Sequence, residues 1–165
     1  MSKTYTIRKS KHAAKPRMIG LWLNKKTISY RVAFDLNCRY QFNNADQLDL
    51  NKLFGIGFLW SHHKDSARFG WRYNEDTNKI EVFTYCYVGG ERISEYMTSL
   101  SFNRSYDFSI TVEDDCYRFA VRKDNGTHGH TVFFNHRKRI AYPLGVYFGG
   151  NNPAPHSMNI YMKKL

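Results

Sequence analysis

The stretch Arg68-Phe-Gly-Trp-Arg-Tyr-Asn-Glu-Asp-Thr-Asn-Lys-Ile-Glu-Val-Phe-Thr-Tyr-Cys-Tyr-Val-Gly-Gly-Glu-Arg-Ile-Ser-Glu-Tyr96 decides the fold. Its side chains alternate in character with a period of two, the mark of half-buried strands. Gly89-Gly90 suits a two-residue hairpin turn, which sets Val88 opposite Glu91, Tyr87 opposite Arg92, Tyr85 opposite Ser94 and Phe83 opposite Tyr96. A four-residue loop at 75–78 sets Arg72 against Glu81, Gly70 against Phe83, and Arg68 against Tyr85. On the other face it pairs Trp71 with Val82, Phe69 with Thr84, and Tyr73 with Ile80. This register yields an opposite-charge pair and an aromatic ring over a glycine, both favourable across strands. A five-residue loop would instead oppose Arg72 to Ile80.

One face therefore carries Arg68, Gly70, Arg72, Glu81, Phe83, Tyr85, Tyr87, Arg92, Ser94 and Tyr96, with a notch expected at Gly70. Phe69, Trp71, Val82, Ile93 and Met97 form the core face. Glu95 falls on the apolar side, a conflict unless it lies near a sheet edge.

The same period recurs outward, as in Ile28, Tyr30, Val32, Phe34 and Leu36. Further strands are expected at 4–9, 18–23, 53–60, 91–99, 106–112, 116–122, 130–135, 144–149 and 157–163. Asn125-Gly126, Gly149-Gly150 and Pro153-Ala-Pro155 mark turns between some of these. Only 45–53 has room for a helical turn. A dozen short strands at this spacing indicate an all-β sandwich or barrel.

The chain has 165 residues, 42% hydrophobic, and no internal repeat or linker. That length favours one domain over residues 1–165, large enough to bury roughly 70% of its unfolded surface without a disulfide or metal staple. No apolar run approaches the roughly 20 residues of a membrane span, so no membrane partner is expected. Residues 1–17 lack the apolar stretch of a secretory signal, and Cys38, Cys86 and Cys116 cannot all pair. A cytoplasmic protein with reduced thiols is the expectation.

The net charge is +11, and the sequence holds 12 Tyr, 12 Phe and 3 Trp. Residues 1–34 and 125–165 contain no acid; all fourteen lie between. Such a surface attracts polyanions without choosing among them. If the ends form a diffuse surface, such binding is weak and steeply salt-dependent.

Asn51-Lys-Leu-Phe-Gly55, Ser61-His-His-Lys-Asp-Ser-Ala-Arg-Phe-Gly-Trp-Arg72 and Tyr147-Phe-Gly-Gly-Asn-Asn-Pro-Ala-Pro-His156 together resemble small bacterial jelly-roll proteins of uncharacterised function. These are related in architecture to concanavalin A-like lectins and glucanases. The resemblance implies an antiparallel jelly-roll β-sandwich. It does not specify an activity, because this architecture carries binding modules, hydrolases and lyases.

Glycoside hydrolysis needs two carboxyl groups flanking the scissile bond, and the Glu-x-Asp-x-x-Glu strand of related glucanases has no counterpart. Glu113-Asp114-Asp115 reads as a solvated turn. A polysaccharide lyase needs a group to neutralise the uronate carboxylate, a base and an acid; Arg68, Arg72, Asn151, His62, His63, Tyr85 and Tyr87 are candidates. The Gln-x-His and Tyr-x-Lys-x-Gly-x-Tyr strands of alginate-lyase-like jelly rolls are missing, apart from the fragment Tyr161-Met-Lys163. His128, His130 and His136 offer a metal set without a supporting carboxylate or cysteine, so neither metal nor cofactor is expected. Nucleic-acid binding is open on charge, but no RNP-type motif or glycine-rich phosphate loop supports it.

The leading expectation is a non-catalytic, lectin-like glycan-binding module with an oligo- or polysaccharide partner. An acidic-glycan lyase is the alternative, and non-specific nucleic-acid binding a further one. Arg68, Arg72, Tyr85, Tyr87 and Tyr96 are the expected contacts on the sheet, with Tyr85 in solvent, and His62, Asn151 and His156 are contributed by loops.

Overall fold

The computed structural model describes residues 1–23, 26–58, 61–134 and 140–165. Among these, thirteen strands occur in chain order. They are β1 (Lys3–Ile7), β2 (Trp22–Leu23), β3 (Thr27–Phe34), β4 (Asn51–Phe58), β5 (Ser66–Asn74), β6 (Lys79–Val88) and β7 (Glu91–Ile93), followed by β8 (Tyr96–Leu100), β9 (Tyr106–Val112), β10 (Cys116–Lys123), β11 (Gly126–Phe133), β12 (Ile140–Leu144) and β13 (Met158–Lys164). One sheet is ordered β1-β13-β3-β9-β10-β11. The other is ordered β2-β12-β4-β5-β6-β7, with β8 also pairing β6. The pairings within both are antiparallel, and the two sheets form a sandwich.

The β5–β6 register is the one expected from the 75–78 loop, from Arg72 opposite Glu81 to Arg68 opposite Tyr85. Gly89 and Gly90 both have positive φ, which a tight hairpin turn of this hand requires. Tyr87 accordingly faces Arg92, and Phe83 faces Tyr96.

The conflict at Glu95 resolves as a break. The expected 91–99 strand splits into β7 and β8, and the Glu95 amide donates to Thr84 Oγ1 at 3.0 Å. The Glu95 carboxylate turns outward to His130 Nε2, 3.1 Å away. Burying that carboxylate among Ile93 and Met97 would cost far more than the few ladder bonds lost.

Several other bounds move. The 130–135 strand begins at Gly126, and 144–149 gives way to 140–144, with Tyr147 held instead by isolated bridges to Lys52 and Ala13. Among the described residues helix is confined to two 3₁₀ turns: Ala45–Leu48, within the expected stretch, and Leu36–Cys38, outside it, where the Asp35 side chain caps the turn as Asn44 caps the other.

The core lies between the sheets and is dominated by aromatic rings. Phe69 of β5 meets Phe108 and Phe119 of the facing sheet edge-on, at 4.9 and 5.1 Å between centroids. Trp71, fully buried, packs against Phe34 at 5.2 Å, with Tyr40 and Phe148 beyond it. Such tilted and T-shaped contacts add roughly 0.5–1.5 kcal/mol each beyond the area they bury. The three cysteines are buried and unbridged.

One irregularity positions the site. In β4 the register shifts between Lys52 and Gly55, so that both Leu53 and Phe54 point into the core. Lys52, Gly55 and Gly57 are thereby placed on the outer face.

Candidate functional site: a cationic, tyrosine-walled cleft

The outer face of the second sheet can be read across its strands. One row runs Tyr142, Gly57, Ser66, Tyr87 and Arg92; the next runs Gly55, Arg68 and Tyr85; a third runs Tyr147, Lys52, Gly70 and Phe83. Glycines here provide room rather than turns. A Cβ at Gly55 would lie 2.6 Å from Arg68 Cγ, and one at Gly57 would lie 2.7 Å from the Tyr142 ring. Arg68 and Tyr142 can therefore lie flat across β4, the usual way an aromatic or long side chain covers a sheet glycine.

Over these rows opens a cleft of about 310 Å³. Lys52, Arg68, Tyr85, Tyr87, Tyr147 and the His62-His63 loop line it, with Ser66, Gly149 and Gly150. The loop is fastened at both ends. Ser66 Oγ donates to the His62 carbonyl at 2.7 Å, and the Gly90 amide donates to the Lys64 carbonyl at 2.9 Å. The His62 and His63 rings sit 4.2 Å apart, and His63 meets Tyr87 edge-on.

Two cations form the floor. Arg68 is only 8% exposed; it donates to the Gly145 carbonyl, and its Nε has no hydrogen-bond partner. Burial lowers its pKa to about 10. Lys52 Nζ donates to the Gly149 carbonyl at 3.0 Å and lies 5.0 Å from the centre of the Tyr85 ring. Burial, followed by the repulsion of Arg68, lowers its pKa to about 8. The same two influences, with His63, hold His62 below the ordinary histidine value. Burial raises Tyr85, whose hydroxyl bonds to Tyr87 and Arg92, so it stays protonated at neutral pH.

Of the eight residues expected to form a site, Arg68, Tyr85, Tyr87 and His62 meet in this cleft, and the other four lie outside it. Arg72 is held by Glu81 at 2.7 Å and lies over Phe83. Tyr96 is exposed, bonded to Ser99, on the far side of Phe83. His156 Nε2 bonds the Asn37 carbonyl at 2.9 Å and anchors the loop. Asn151 is exposed and lines no part of the cleft.

Two further expectations are corrected. Tyr85 is 7% exposed rather than solvated, because Lys52, Tyr87 and Arg92 close over it. The notch at Gly70 is covered rather than open: Gly70 is buried, and the space beside it is methyl-sized, with Leu50, Phe83 and Tyr85 each 3.5 Å from where a Cβ would stand. Lys52 and Tyr147 were not singled out from sequence. Lys52 hides beside the β4 irregularity, and Tyr147 enters from a segment outside the regular ladder.

Of the metal candidates, His136 lies outside the described residues, and His130 pairs with Glu95. Glu113, Asp115 and Cys116 bring ligand atoms within 4.8 Å of one another. Arg118 already neutralises Glu113 at 2.6 Å, consistent with a solvated turn.

The 149–156 loop reaches the cleft only through Gly149 and Gly150, and it is tightly held. Asn51, itself bonded to the Tyr40 hydroxyl, accepts from the Gly149 amide, and Asn152 donates to Asp46. Gly149 has φ +72, and a Cβ there would overlap the Asn152 carbonyl oxygen. Gly149→Ala is therefore expected to destabilise the fold by about 1–3 kcal/mol and to displace the carbonyl that holds Lys52. Thermal melting together with a Lys52 titration followed by NMR checks both effects. An unshifted melt and unchanged titration would show that the loop adapts freely.

No family model and no curated protein matches this chain. Similar solved structures do exist. Alginate lyase AlyC3 aligns over 99% of this chain and 73% of its own, at TM-score 0.64 and 12% identity. The alginate lyase from Klebsiella pneumoniae aligns over 84% and 58%, at 0.60 and 10%. A glycosyl hydrolase family 16 protein from Mycobacterium smegmatis aligns over 87% and 63%, at 0.51 and 12%. The chain thus spans less than two thirds of the Klebsiella and mycobacterial proteins. At these identities the likeness is one of fold, and it establishes the chain as an antiparallel jelly-roll β-sandwich of the concanavalin A-like kind.

Proposed function

We propose that the cleft binds an acidic oligosaccharide, of the uronate-containing class. The observation that carries this reading is the floor of the cleft: a buried guanidinium with an unpartnered Nε, beside a half-buried ammonium, with no carboxylate among the described lining residues. A carboxylated sugar supplies the missing counter-charge. Tyr85, Tyr87 and Tyr147 offer ring faces and hydroxyls to the rest of the sugar. Two carboxyl groups across the cleft, which glycoside hydrolysis requires, are missing from that lining. Alginate lyase AlyC3, of the same fold, is known in complex with dimannuronate, which makes that disaccharide a rational first ligand.

Calorimetric titration with dimannuronate and with a neutral cello-oligosaccharide tests the reading. Dimannuronate is expected to bind with a strong salt dependence, and the neutral sugar is not. Equal affinity for both would overturn the proposal.

A pH series sharpens the test. Lys52 attracts the anion only when protonated, so affinity should be full below pH 8 and fall as pH rises through about 8. In Lys52→Met this step should disappear and overall affinity should drop about tenfold or more. A step that persists in the variant would assign it to another group.

A second reading, β-elimination by the same cleft, is favoured by one observation: a proton acceptor, His62, and a proton donor, Tyr85, line the same space. Burial favours the neutral form of each, lowering His62 and raising Tyr85. In such a step a base removes the C5 proton, and its electron pair forms the C4=C5 bond. The C4–O bond breaks, and the leaving oxygen takes up a proton. Incubation with polymannuronate and monitoring of the unsaturated uronate's ultraviolet absorbance separates the readings, since a pure binder releases none.

A further inference from the structure

A second cavity, of about 280 Å³, adjoins the first. The two share His62, Arg68 and Tyr147 as a common wall. Beyond that wall the lining changes to Ala13, Pro16, Arg17, Met18, Leu144 and Val146. The buried Arg68 therefore sits where the two spaces meet and contributes to the lining of both.

One side of this second cavity is the N-terminal segment, which is built into the fold. Thr6 and Lys15 exchange two backbone hydrogen bonds, at 2.8 and 3.0 Å. The Ala14 amide donates to the Val146 carbonyl, and the Ala154 amide to the Lys11 carbonyl. The His12 ring stacks on Tyr147, 5.2 Å between centroids and 13° from parallel. These contacts fix the backbone and leave the Lys11, Lys15 and Arg17 side chains exposed. None of the three forms an ion pair among the described residues. Of the three, Arg17 lines the second cavity, and Lys11 and Lys15 belong to the same segment that walls it.

We propose that the second cavity continues the binding site and that the Lys11–Arg17 segment forms a cationic track beyond it. The ligand is then a polyanionic chain that runs through both cavities, with a unit on each side of Arg68. This inference rests on the acidic-glycan reading of the first cleft. It adds that an extended polymer, rather than a short oligomer, is the ligand class. Mixed apolar and cationic lining suits a pyranose chain, whose ring faces are apolar and whose uronate groups recur at intervals.

Two variants test it against polymannuronate and dimannuronate. The first, Lys11→Gln/Lys15→Gln/Arg17→Gln, removes the track's charge; the second, Ala13→Trp, obstructs the second cavity at an exposed position. The wild-type protein is expected to bind polymannuronate more tightly than dimannuronate. The triple variant should lose roughly tenfold for the polymer at low salt and show a shallower salt dependence, with dimannuronate affinity and melting temperature unchanged. Ala13→Trp should cause the same selective loss by obstruction. Unchanged polymer affinity in Ala13→Trp would overturn the proposed path, even if the triple variant weakened binding by long-range attraction. Equal loss for both ligands would overturn it too. Failure of the wild-type protein to bind either ligand would instead remove the acidic-glycan reading on which the path rests.

Discussion

Replacing Arg68 with methionine is expected to weaken acidic-oligosaccharide binding by about 2–5 kcal/mol, roughly 30-fold or more, while leaving the fold as stable as before or more so. The two halves of that expectation come from the same fact. Arg68 is buried, and its lowered pKa reports that burial works against its charge. Its described partner is a neutral carbonyl, that of Gly145. A buried cation so weakly compensated is a destabilising element in the free protein, and an apolar chain of similar length packs there at less cost. The bound anion reverses the balance by supplying the opposite charge in a site of low dielectric constant. Melting curves of Arg68→Met with and without dimannuronate test both halves. A variant that melts well below the wild type yet binds undiminished would make Arg68 a packing residue and nothing more.

Trp71→Ala acts in the opposite direction. Trp71 is fully buried among Phe34, Tyr40 and Phe148, and its removal leaves a cavity that these rings, anchored on β3 and on the 40 and 148 segments, are poorly able to close. The expected loss is about 3–5 kcal/mol, a large part of a typical domain's 5–15 kcal/mol. In a chain of this size that lowers the melting temperature by about 10 °C. Trp71→Phe is a sharper comparison. The indole Nε1 is buried without a hydrogen-bond partner, so phenylalanine removes an orphaned donor while keeping most of the ring. It should cost far less than alanine. If both substitutions destabilise equally, the indole nitrogen has a partner in solution, such as an ordered water.

These two residues also mark how far the sequence carries the argument. Trp71 and Arg68 are both placed by one hairpin register, and that register follows from turn chemistry and nearest-neighbour pairing, which are local. Local logic also flags Glu95, and the flag marks a real strand break. It fails where distant segments converge. Whether the Tyr85 ring is wet or covered depends on Lys52, Tyr87 and Arg92 from three strands. The entry of Tyr147 depends on isolated bridges to Lys52 and Ala13, both distant in sequence, and the His156 role on the Asn37 carbonyl. Composition shows nine basic residues and no acid in the first 34; only the folded chain shows that one of them, Arg17, lines a cavity beside the cleft.

The shift in β4 has a reach beyond its own strand. Along Leu53-Phe54-Gly55-Ile56-Gly57-Phe58, inside and outside are assigned by counting residues from one doubled position. Deleting either Leu53 or Phe54 would erase the doubling and invert the count on one side of it. Either Gly55 and Gly57 would turn toward the interior, leaving holes where Ile56 and Phe58 now fill it, or Lys52 would point its amine into the aromatic layer. A single-residue deletion here is thus equivalent to a reading-frame error in three dimensions. It would barely change composition, yet it would exchange the floor of the cleft for the lining of the core.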